Sequence, residues 1–173
     1  MNDTRLRAIA ACGLVAGAIL GIAGTFLPPP MRGLAWGLDG IALVVASALL
    51  TLYHIRQGHD LVAAGFLVFA AGQGLILSGA AMDPADTVSP FAAGAGLWAA
   101  GLALISVPRV LPFLVRILGL IAAVLFAIFA LQVFSGNPLT SLSTPLPLFG
   151  YPFLVVTLLC WAWIYFRAPS GAR

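Results

Sequence analysis

From Leu6 to Phe166 the chain passes through six apolar runs, and most of its charges fall in the short gaps between them or beyond their ends. A run of about 20 residues, rising 1.5 Å per residue as a helix, crosses the ~30 Å hydrocarbon core of a bilayer. The expected spans are 6–27, 33–52, 61–81, 90–107, 110–134 and 146–166. The fold class that follows is all-α: a polytopic membrane protein, a bundle of six transmembrane helices forming a single integral membrane domain. Only 8% of residues are charged, against about a quarter in a soluble domain, so a soluble fold is excluded.

Prolines mark most of the ends. Pro28-Pro29-Pro30 stops the first run, Ser89 and Pro90 read as N-cap and first residue of the fourth, and Pro108 to Pro112 turns the chain into the fifth. Tyr53 to Asp60 is too short for anything but an antiparallel hairpin, with Gly58 as its left-handed residue and Asp60 as the next N-cap. If the last run starts at Leu146, Gly150-Tyr151-Pro152 lies inside it. A sixth helix broken there frees backbone groups that only protein or trapped water satisfies. The uncharged segment 135–147 keeps Leu139, Leu142 and Leu146 for an apolar surface, as an interfacial stretch or as a lid that dips back.

Small residues recur every four positions. Gly13, Gly17 and Gly21 form a helix-packing ridge on the first span, suited to a neighbouring helix of the same chain or to a homo-oligomer or partner membrane protein. Ala92, Gly96 and Ala100 on the fourth span and Gly119, Ala123 and Ala127 on the fifth repeat the pattern. Cys12 and Cys160 lie inside apolar runs and read as small buried filler.

Orientation follows from arginine. With both termini in the cytoplasm, Arg5, Arg7, Arg56, Arg109, Arg116, Arg167 and Arg173 lie inside and Arg32 alone outside, which expects a bacterial inner membrane protein of that topology. Trp161, Trp163, Tyr165 and Phe166 then form an aromatic anchor at the inner interface, and Trp36 one at the outer. The few arginines serve orientation, leaving the lipid bilayer as partner and no support for nucleic acid.

Two residues stand where an ordinary span would be apolar. Asp39 is about 9 Å from the outer edge and Gln73 about 13 Å by helix rise, with Trp98 at about 12 Å and Ser78 and Tyr151 shallower. An ionisable residue in a span costs about 2.5–3.5 kcal/mol, which turns Asp39 toward the bundle interior. Asp39, Gln73, Trp98, Ser78 and Tyr151 are therefore the candidate ligand-binding residues of an outer-half polar cavity. The competing reading is that Gln73 only satisfies Asp39 and fixes packing, with Arg32 reaching down as counter-ion. Arg116 is close enough to the inner interface to snorkel.

His54, His59 and Asp60 form a third polar group, read as a solvated turn. Two histidines flanking a turn make a weak case for metal or haem, so no cofactor and no metal site are expected. Hydrolase elbows, zinc helices, phosphate loops and dinucleotide fingerprints are absent from the sequence, so no catalytic residue is assigned. The functional readings are a binder or carrier of a small neutral or protonatable solute, an accessory or assembly subunit of a membrane complex, and, behind both, an intramembrane enzyme or redox protein.

Overall fold

The computed structural model describes residues 2–167 and is all-helical. Arg173, one of the arginines that set the orientation, lies outside the described residues. The helices are α1 (Asp3–Phe26), α2 (Pro29–Arg56), α3 (Asp60–Ser78), α4 (Val88–Ser106), α5 (Phe113–Phe134) and α6 (Tyr151–Arg167). Short 3-10 turns, Pro84–Thr87 and Leu148–Gly150, lead into α4 and α6. All six are long and apolar enough to cross a membrane. Their perimeter carries exposed Ile19, Leu34, Leu67, Leu114 and Leu131, a surface suited to lipid chains rather than water.

The helix ends follow backbone chemistry. Leu27, held extended before proline, closes α1, and Pro29 and Pro30 open α2, where the missing N–H groups would lack a helical partner in any case. The second helix thus starts four residues before the expected 33. Gly58 takes φ +72 in the tight turn after α2. Asp60 stands in the first turn of α3 and His59 takes the cap position, so the expected Asp60 cap is not formed. At α4 the 3-10 turn starts the helix early: Ser89 and Pro90 already lie in its first turn, and Asp83 Oδ1 accepts from the Ala85 N–H upstream. Pro152 is the second residue of α6, so the irregularity at Gly150 is a junction between a 3-10 turn and the helix.

Each helix packs along its neighbours in sequence, and α6 returns to pack along α1, closing a ring. Glycines set the spacing. The ridge of α1 faces α2: a Cβ at Gly13 would meet Ala42 O at 2.9 Å, one at Gly17 would strike Leu43, and one at Gly24 would lie 2.5 Å from the Trp36 indole. Between α3 and α4 the approach is closer still. Gly65 faces Gly101, Gly72 faces Gly94 and Gly79 faces Thr87, three pairs seven residues apart and symmetric about residue 83. At Gly72 and Gly94 a Cβ on either helix would come within 2.7 Å of the other's carbonyl oxygen.

Aromatic side chains fill the ring. Phe66 and Phe69 of α3 meet Trp161 of α6, Phe69 stacks on Trp98 of α4, and Trp98 meets Phe126 of α5 edge-on. Trp161 and Tyr165 are buried in this core, while Trp163 and Phe166 remain exposed. The expected aromatic belt is therefore half belt and half core. Cys12 is exposed on the perimeter rather than buried, and Cys160 is half-buried. Arg116 is half-buried at the end of α4. Its Nε and Nη2 donate to Ser106 O and Val107 O at 2.7 and 2.8 Å, satisfying carbonyls that the end of α4 leaves open.

Candidate functional site

Near the end of the bundle where α2, α4 and α6 begin, the ring is not filled. A cavity of about 80 Å³ lies between α1, α2, α4 and α6, bounded also by the end of α3 and by segment 135–147. It has room for a few water-sized groups.

Asp39 reaches this space from α2 because α1 opposite it carries no side chain. A Cβ at Gly17 would lie 3.1 Å from Asp39 Oδ1, and one at Gly21 would lie 3.2 Å from Oδ2 and 3.3 Å from Cγ. The glycine ridge is thus a cradle for the carboxylate as well as a packing face. Gln73 of α3, almost wholly buried, brings its amide within reach of Asp39. Trp36 closes the space above, its Nε1 donating to Gly21 O at 3.2 Å. Thr25 Oγ1 donates to the same carbonyl at 3.3 Å.

The remaining wall is aromatic and hydroxylic. Trp98 and Phe91 come from α4, and Tyr151 comes from the first residue of α6. Tyr151 Oη donates to Ser141 O at 2.7 Å, which holds segment 135–147 over the cavity and turns Ser141 into its lining. Leu139 and Leu146 of that segment pack against the core, so it folds back in the manner of a lid.

Three polar atoms on this wall have no hydrogen-bond partner among the described residues: Asp39 Oδ1, Trp98 Nε1 and Ser141 Oγ. Their residues are 8%, 5% and 6% exposed. A buried polar atom without a partner costs about 1–3 kcal/mol, and a charged one more. All three residues line the cavity. Arg32 does not. Its Nη2 donates to Leu27 O at 3.2 Å and its guanidinium lies 5.6 Å from the Trp36 ring centre, so the expected counter-ion for Asp39 is turned away.

Of the residues singled out from sequence, Asp39, Trp98 and Tyr151 line the cavity, as do Gly17 and Gly21. Gln73 stands behind Asp39. Gly13 packs on α2 one turn deeper. Ser78 is exposed and donates to Leu75 O at 2.6 Å, off the cavity wall. Ser141 was not among them, and Trp36 was read only as an outer-interface anchor. Trp36 had a signal: a tight turn centred near residue 30 pairs Gly24 with Trp36, Gly21 with Asp39 and Gly17 with Leu43 symmetrically, as the structure does. Ser141 had none, because its segment has no regular structure.

A second polar group lies at the opposite end of the ring. His54 is 2% exposed within α2, stacked on Phe66, and so is not part of a solvated turn. Its Nε2 pairs with Tyr165 Oη at 2.8 Å and its Nδ1 with His59 Nδ1 at 3.3 Å. Nearby, Arg56 and Gln57 both donate to the Asp3 carboxylate, tying the α2–α3 turn to the start of α1. No group of three or more His, Cys, Asp or Glu side chains able to hold a metal occurs among the described residues. Comparison with protein-family models, curated proteins and solved structures gave no match.

Proposed function

We propose that the protein binds or carries a small neutral or protonatable polar solute in the cavity beside Asp39, as a single membrane domain. The observation that carries this reading is that Asp39, Trp98 and Ser141, each with a buried polar atom that has no partner among the described residues, line one space. Binding sites of this kind pair an apolar wall with a few placed polar groups. The ligand-binding set is Asp39, Trp98, Tyr151 and Ser141, with Gln73 orienting the carboxylate. Arginine distribution supports placing both termini in the cytoplasm of a bacterial inner membrane, which opens the cavity to the outer side.

The other reading, an accessory subunit that offers its glycine ridge to a partner, has less support. Gly13, Gly17 and Gly21 are turned onto α2 and are not presented to a neighbour. The test is osmotic swelling of proteoliposomes in a panel of small polar solutes. One or more solutes should enter faster than into protein-free vesicles, and both Asp39→Asn and Trp98→Phe should slow that entry. Equal rates with and without protein for the whole panel would refute the carrier half of the proposal, and absence of any saturable binding would refute the rest.

A further inference from the structure

We infer that the solute is a small organic cation, a primary or methylated ammonium of a few heavy atoms, held with Asp39 as its counter-ion. This rests on reading the cavity as a solute site, and it specifies the chemistry of that site.

The charge balance is the first argument. Asp39 is 8% exposed, and no basic side chain among the described residues pairs with it. Its neighbour Gln73 is neutral, Arg32 is committed to Leu27 O and the Trp36 ring, and α1 opposes it with glycine alone. A carboxylate in such surroundings carries a desolvation penalty that an opposite charge offsets. Its Oδ1 accepts no hydrogen bond among the described residues.

The wall is the second argument. The rings of Trp36, Phe91, Trp98 and Tyr151 surround the space. Aromatic faces attract a cation through their quadrupole, and ammonium ligands are recognised by such enclosures. An ammonium N–H donates to Asp39 Oδ1 and another to the free lone pairs of Ser141 Oγ, while its methyl groups contact the rings.

Other ligand classes fit the same atoms worse. An anion meets Asp39. A carbonyl compound accepts from Trp98 Nε1 but brings no counter-charge to Asp39, whereas an ammonium bound with a water, which accepts from Trp98 Nε1, answers both. A hard metal ion takes about six oxygen ligands, and the residues lining the space offer it a single carboxylate. The cavity volume of about 80 Å³ admits methylammonium with a water.

The experiment is thermal unfolding of the purified full-length protein in detergent, titrated with methylammonium chloride, with sodium chloride, and with acetamide as a neutral solute of similar size. Methylammonium should raise the midpoint saturably and beyond sodium chloride. Asp39→Asn should weaken that response by about tenfold or more, as loss of a charge-assisted bond does. Should Asp39→Asn not fold, Gly21→Ala replaces it, since the added Cβ crowds the carboxylate at 3.2 Å. A saturable acetamide response with methylammonium no better than sodium chloride overturns the cation assignment and leaves the solute cavity standing. No response to methylammonium or acetamide removes both. A methylammonium response unchanged in the variants places binding elsewhere and also overturns the assignment.

Discussion

Two glycines two residues apart on α3 should respond in opposite directions to the same added methyl group. Gly74 has nothing within 4 Å of a built Cβ. Gly72 is held against α4, where a Cβ would lie 2.7 Å from Gly94 O, 2.8 Å from Leu97 Cβ and 3.2 Å from Trp98 Cδ1. Alanine at either position gains the same intrinsic helix propensity, about 1 kcal/mol relative to glycine. The difference between the two variants therefore isolates the steric cost. That cost cannot be relieved by a rotamer change, because the nearest obstacle is backbone, and forcing a methyl into a packed interface costs about 1–3 kcal/mol. Gly74→Ala should be neutral to about 1 kcal/mol more stable, and Gly72→Ala should lie about 1–3 kcal/mol below Gly74→Ala. The assay is reversible unfolding of both variants in mixed micelles, read by circular dichroism or by tryptophan emission. Equal stability of the two variants, or Gly72→Ala the more stable, would refute the close α3–α4 crossing and with it the position of Trp98 on the cavity wall.

Three further outcomes are expected. Tyr165→Phe keeps the ring contacts with Tyr53 and Phe66 but removes the partner of His54 Nε2, and should cost about 1–3 kcal/mol in the same unfolding assay; an unchanged midpoint would argue against the buried pair. Arg116→Met keeps an apolar stem and loses both bonds to the end of α4, so hydrogen exchange should quicken for the amides around residues 106–112 and stay unchanged in α1. Tyr151→Phe removes the bond to Ser141 O, and limited proteolysis should then cut segment 135–147 sooner than in the unaltered protein, with no new cleavage in the hairpin at Gly58.

The helices were legible because lipid leaves the backbone no other partner than itself, so each apolar run had to close its own hydrogen bonds. Their ends were legible from proline, although Pro29 and Pro30 belong to the first turn of α2 rather than to the gap, and Pro90 is the third residue of α4 rather than its first. The inward turn of Asp39 was legible from the cost of the alternative. What faced what was harder. Trp161 and Tyr165 have the composition of an interfacial belt, and only the closure of α6 onto α1, for which the sequence holds no signal, makes them core. His54 looked like part of a turn because it is polar and near a helix end, yet the ring at that level is narrow enough for Tyr165 and Phe66 to enclose it. The pairs symmetric about residues 30 and 83 were present in the glycine spacing and required only that each hairpin be folded about its own turn.

Ring closure also has a consequence for how the molecule is made. Of the six helices α6 emerges last, yet it supplies Tyr151, Leu154, Val155 and Leu158 to the cavity and seals the flank beside Gly17 and Gly21 of α1. Without it the cavity lacks the side formed by Tyr151, Leu154, Val155 and Leu158. The wall around Asp39 is therefore complete only once the last of the six helices is in place.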